Sequence, residues 1–158
     1  MRPPGAGVYT SLVADGEPPR YPFVMQPDIR RADPLKEFSS QENCFILEVS
    51  NDSGDPDVSI ARARVRPGAT TTSHRLKGIV ERYIIVRGQG RVEVADLPPT
   101  IVNEGDVVRI PANVPQRITN VGDDDLIFFC ICTPRFDQNA YVTEPETPSA
   151  GPSEGSKG

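Results

Sequence analysis

From residue 58 onward, apolar and polar positions alternate in short bursts separated by turn formers. Over 58–66, Ala61, Ala63 and Val65 fall on one side and Arg62, Arg64 and Arg66 on the other, the period of a strand with one covered face. The most β-prone stretch is 81–87, rich in Tyr, Ile and Val, and Gly88-Gln89-Gly90 turns it back into 91–94 as a hairpin. Further strands are expected at 100–102 and 107–110, and another leads from Ile118 to the acidic turn at 122–125. The run 126–132 is wholly apolar and predicts a strand buried on both faces. Upstream, 44–49 reads as a strand and 51–57 as a loop. A single helical turn is expected over 35–38, where Asp33 caps and Pro34 takes the first helical position. With no sustained helical period, the pattern predicts a β-sandwich or barrel.

Composition narrows this picture. The 158 residues suit one domain, and 17 prolines with 13 glycines predict many turns and unstructured length. Both ends account for it: 1–27 reads as an extended arm, and the tail after Tyr141 is too polar to offset its ordering entropy and is expected to be disordered. A net charge of −5 and a pI near 4.9 favour neither nucleic acid nor an anionic membrane. No apolar run reaches the ~20 residues of a membrane span, and the N-terminus lacks the apolar core of a secretory signal. Three cysteines without C-x-x-C spacing describe no disulfide framework, so a reducing cytoplasm is expected.

Two segments carry the chemistry. In 68–88, GATTTSHRLKGIVERYIIVRG, the chain's one histidine, His74, follows Gly68 after five residues; Glu81 follows after six more, and Gly88 after a further six. In 105–120, GDVVRIPANVPQRITN, Gly105, Pro111, Gln116 and Asn120 are similarly spaced. Together they resemble the two signature motifs of the cupin superfamily, Gly-x5-His-x-His-x(3–4)-Glu-x6-Gly and Gly-x5-Pro-x-Gly-x2-His-x3-Asn. Leu76 stands where the second histidine belongs, Asn113 replaces a glycine, and Gln116 replaces the last histidine. Asn tolerates the left-handed backbone that glycine would supply, so that exchange costs the fold little.

The resemblance implies an all-β, double-stranded β-helix (jelly-roll) barrel. Its expected bounds are an arm with a short helical turn over 1–42, the barrel over 43–142 and a tail over 143–158. It also implies a divalent metal ion (Fe, Mn, Ni or Zn) held by His74, Glu81 and Gln116. The residues themselves leave a second reading open, a hydrogen-bonded polar cluster inside the barrel. Glu81 and Tyr83 share a strand face and are the candidate acid–base groups, Tyr83 being equally readable as a core tyrosine. Arg75 and Gln116 are the candidate substrate contacts, and Thr70, Thr71, Thr72 and Ser73 are expected as flexible hydroxyls near the same opening. The row Arg62, Arg64, Arg66 reads either as an anion clamp or as a solvated strand face. Cys130 and Cys132 are expected as inert core thiols. The expected function is metal-dependent chemistry on a small oxygenated molecule (isomerase, lyase or dioxygenase type). The alternative is a small-molecule-binding barrel that has lost its metal. A homodimer is expected, paired through the apolar strand at 44–49.

Overall fold

A computed structural model describes residues 25–145; residues 1–24 of the expected arm and 146–158 of the expected tail lie outside them, while Thr143, expected as the start of the disordered tail, belongs to a strand. Among the described residues the chain forms eleven strands: β1 (Phe38–Ser39), β2 (Phe45–Ser50), β3 (Ser59–Val65), β4 (His74–Leu76), β5 (Val80–Arg87), β6 (Gly90–Val94), β7 (Thr100–Val102), β8 (Val107–Ile110), β9 (Gln116–Asn120), β10 (Leu126–Thr133) and β11 (Tyr141–Thr143). Two antiparallel sheets result, ordered β1-β2-β3-β10-β5-β8 and β11-β4-β9-β6-β7. This is the jelly-roll barrel expected from the two motifs. The single turn after Asp33 is a 3-10 helix, Pro34–Lys36, capped by the Asp33 carboxylate, which accepts from the Leu35 amide at 3.1 Å.

The core lies between the sheets, because each strand turns its alternate apolar residues inward. Val65 of β3, Tyr83 and Ile85 of β5, Ile118 of β9 and Phe128 of β10 meet there, all nearly inaccessible to water. β6 approaches so closely that a Cβ on Gly90 would stand 2.8 Å from Ile118 Cδ1. Asn113 adopts φ 67, as its place in a glycine position predicts, and its side chain accepts from the Gly78 amide at 3.2 Å. Asn120, the last residue of the second motif, holds two loops together. Its amide donates to the carbonyls of Val65 and Asp124, and its oxygen accepts from the Gly122 amide.

Two expectations change. β10 is buried on one face only: its outward residues Ile127, Phe129 and Ile131 are half-exposed. They pair in register with Arg64, Arg62 and Arg82 on neighbouring strands, long side chains whose aliphatic stems suit apolar neighbours. The arginine row is neither a clamp nor simply solvated. Glu37 holds Arg62 at 3.4 Å and Arg64 at 2.5 Å, and Arg64 and Arg66 lie over the Phe45 ring at 4.2 and 4.7 Å. The row thereby fastens the β1–β2 hairpin to β3. β2 has neighbours on both sides, leaving β1 and β8 as the edges of the larger sheet.

Candidate functional site

The two motifs meet inside the barrel. β4 and β9 pair antiparallel with His74 opposite Gln116, and Glu81 reaches them from β5 in the facing sheet. All three are buried, at 2%, 2% and 6% exposure. Strand alternation sets this arrangement: on β4, His74 and Leu76 point inward and Arg75 outward, and on β9, Gln116 and Ile118 point inward.

One amide ties the cluster together. Gln116 Nε2 donates to Glu81 Oε2 and lies 3.4 Å from His74 Nε2. His74 Nδ1 lies 2.9 Å from the Thr72 carbonyl, which can only accept, so Nδ1 carries a proton, and in the neutral ring Nε2 offers its lone pair to the Gln116 amide. Tyr141 of β11 stacks on the imidazole at 4.7 Å and closes that side. The amide nitrogen of Gln116 thus bridges a carboxylate and an imidazole. Leu76, at the site of the motif's second histidine, offers no donor and packs with Ile79 and Cys132. Among the described residues no three His, Cys, Asp or Glu side chains are arranged to hold a metal. The expected set of His74, Glu81 and Gln116 is brought together, with the amide nitrogen of Gln116 rather than its oxygen turned toward the carboxylate and the imidazole.

Beside the cluster lies a cavity of about 670 Å³, between the inner face of the larger sheet, the β1–β2 turn and the segment around Phe136. Of the three clustered residues, Glu81 alone lines it; His74 and Gln116 are sealed behind. Burial pushes the Glu81 carboxyl up from 4.5 to about 7, against the opposing pull of the Gln116 hydrogen bond and of His74. Cys132 lies 3.8 Å from Glu81 Oε1, and Cys130 and Cys132 both line the cavity as free thiols. Desolvation raises both thiols well above their ordinary range, so they stand as protonated walls rather than nucleophiles, as expected.

The other candidates are elsewhere. Tyr83 packs on Phe128 at 4.5 Å in the core, and it does not line the cavity. Arg75 pairs with Glu144 at 2.5 Å on the outer side of β4, where alternation directs it. The threonines are pinned rather than flexible. Thr71 is buried and accepts from the Ile118 amide at 3.0 Å, while the Thr70 and Thr119 hydroxyls meet at 2.9 Å.

The sequence reading missed Glu42. It sits in the turn between β1 and β2, half-buried at the cavity wall, with its carbonyl accepting from the Thr72 amide at 2.9 Å. Asn43 at φ 60 and the Ser40 hydroxyl, which accepts from the Glu42 amide, shape that turn. Burial raises the Glu42 carboxyl, opposed by its attraction to His74. A lone glutamate in a polar stretch carries no periodic signal, and only the hairpin's folding brings it to the cavity.

Comparison with known proteins agrees with this architecture. Residues 61–132 match the family described as Cupin domain. An uncharacterized protein of Methanocaldococcus jannaschii, MJ1618, is 28% identical over 106 residues, 66% of this chain and 84% of that protein. Among solved structures, Streptomyces Pac13 with uridine superposes with a TM-score of 0.61 at 14% identity, covering 73% of this chain and 90% of that one. KdgF from Halomonas sp. gives 0.58 at 17% identity, covering 65% and 91%. The oxalate decarboxylase of Bacillus subtilis gives 0.59 at 18% identity, covering 75% of this chain and 33% of its own. At these identities the structural likenesses speak for the fold.

Proposed function

We propose, from the premise that this chain belongs to the cupin superfamily, that its cavity binds a small oxygenated organic molecule and that Glu81 exchanges a proton with it, in isomerase- or lyase-type chemistry without a resident metal ion. The observation that carries this reading is the placement of Glu81. It is the member of the buried cluster that reaches the cavity, and burial sets its carboxyl near 7, where both protonation states are populated at neutral pH. Gln116 donates to Oε2 and fixes that oxygen. Oε1 lies on the side of Cys132, itself a cavity residue, and is the oxygen positioned to meet a substrate. An ionised Glu81 would take a proton from a carbon next to a carbonyl; a protonated one would deliver it to a departing hydroxyl. His74, locked by the Thr72 carbonyl and the Tyr141 ring, acts as a positioning residue for Gln116. Another barrel of this type, Pac13, is described as a nucleoside dehydratase, which supports lyase chemistry on such a scaffold.

The test uses untagged protein dialysed against a chelator. It is mixed with a panel of small β-hydroxy ketones in D₂O, and exchange of the carbon-bound proton and loss of water are followed by NMR. Turnover is expected to survive the chelator, to rise with pH through about 7 for proton abstraction, and to vanish in Glu81→Gln. Activity lost on chelation and restored by Mn, Fe, Ni or Zn would overturn the metal-independent reading. A second reading, a barrel that binds a ligand without transforming it, is favoured by the sealing of His74 and Gln116 behind Glu81. Ligand-induced thermal shifts with no exchange in any compound would select it.

A further inference from the structure

The cavity's charge pattern says what kind of molecule enters it. Three glutamates line it, Glu42, Glu48 and Glu81, and no lysine, arginine or histidine does. Glu42 raises the preference of Glu81 for a proton, and His74 pulls against that preference in both. Glu48 accepts from Asn51 at 2.8 Å nearer the outside. The neighbouring guanidiniums are committed elsewhere. Arg135 donates to Asn51 at 2.9 Å at the rim, Arg62 and Arg64 are held by Glu37 on the outer face, and Arg75 is held by Glu144. The rest of the wall mixes neutral polar side chains, among them Ser40, Gln41 and Ser59, with the apolar Ile46, Ile60, Ala61 and Phe136 and the half-exposed Phe38.

We propose that this cavity selects a small molecule carrying a positively charged amino group on an apolar body. The proposal rests on reading the cavity as the ligand site, and goes further by naming the ligand's charge. Carboxylates between low-dielectric walls focus a negative potential, and an ammonium entering there exchanges its water for charge-assisted hydrogen bonds. Glu42, whose carboxylate shows no hydrogen bond among the described residues, is the partner for the ammonium, leaving Glu81 to face the reacting carbon or hydroxyl. The rings of Phe38 and Phe136 suit an apolar or cationic group near the mouth. A carboxylate or phosphate ligand would meet like charge with no lining cation to offset it, which makes the same geometry exclude anions.

The experiment compares phenethylamine, phenethyl alcohol and phenylacetate, which share one apolar body and differ in charge, by calorimetry with the full chain at neutral pH. The amine is expected to bind at least about tenfold tighter than the alcohol, with phenylacetate weakest. In Glu42→Gln the amine's advantage is expected to fall to roughly threefold or less, while Ala61→Leu, which fills the cavity wall, weakens all three ligands. Phenylacetate binding as tightly as the amine would overturn the proposal. So would an unchanged preference in folded Glu42→Gln, or no saturation by the amine up to millimolar concentration. Its fate is separable from that of the catalytic reading: amine preference without proton exchange removes only the catalysis, and turnover of anionic compounds removes only the ligand class.

Discussion

Glu81 makes the most direct quantitative prediction, because its burial links protonation to stability. In the unfolded chain its carboxyl ionises near 4.5, and in the folded barrel near 7. Between those values the folded state keeps a proton that the unfolded state has lost, so stability falls as pH rises through this window. Below about 4.5 both states are protonated and the group contributes nothing. Above about 7 the full cost of a buried carboxylate is present. At about 1.36 kcal/mol per pH unit, the displacement from 4.5 to about 7 amounts to about 3 kcal/mol. Glu81→Gln keeps the shape, removes the charge and can still pair with the Gln116 amide, so it should erase this dependence. The assay is thermal unfolding of both proteins across the pH range 4 to 9, taken as variant minus wild type so that other groups largely cancel. The difference is expected to grow by about 3 kcal/mol between about pH 4 and about pH 8, which is roughly 6–12 °C in midpoint for a chain of this size. A difference that stays flat across the range would refute the placement of Glu81 as a buried carboxyl poised near neutrality.

Three further perturbations test the surroundings. Gly90→Ala drives a methyl against Ile118 Cδ1 and Leu126 Cδ2, and is expected to cost about 1–3 kcal/mol in urea unfolding. Glu37→Gln removes the carboxylate shared by Arg62 and Arg64. It should cost about 1 kcal/mol, because the pairs are part-exposed, and the loss should shrink in high salt. The double variant Leu76→His with Gln116→His restores the imidazoles of the two motifs around His74 and Glu81. It is expected to bind Zn or Ni at least about tenfold more tightly than the wild type by calorimetry.

The barrel was legible in the sequence because its signals are local and periodic. Strand alternation placed Glu81 beside Tyr83 on β5 and Gln116 beside Ile118 on β9, and both pairs do face inward. The turn residues Gly88, Gly105 and Asn113 stand where the backbone needs positive φ. What periodicity could not supply is the partner of each side chain. Arg75 follows His74 in sequence, yet neighbouring residues on a strand point to opposite faces, so proximity along the chain placed it on the outside. The apolar run of β10 promised burial on both faces, and only the registry shows that its outer residues lie beside Arg62, Arg64 and Arg82. Glu42 depends on a turn that docks through the Thr72 amide, a contact between segments thirty residues apart.

The replacements at Leu76 and Gln116 act together. A barrel that lost only its second imidazole would keep a buried carboxylate and two neutral histidines; with His74 Nδ1 given to the Thr72 carbonyl, the other ring's one N–H could serve Glu81 or His74 Nε2 but not both, a costly arrangement in a dry interior. Gln116 resolves this, because an amide nitrogen carries two hydrogens and can satisfy Glu81 and His74 at once. The space at Leu76 is then best filled by an aliphatic group, which packs against Ile79 and Cys132 and lowers the local dielectric. Burial raises the Glu81 carboxyl to about 7 while the Gln116 hydrogen bond draws it back, so the exchange at 116 both satisfies and moderates the carboxyl that meets the cavity.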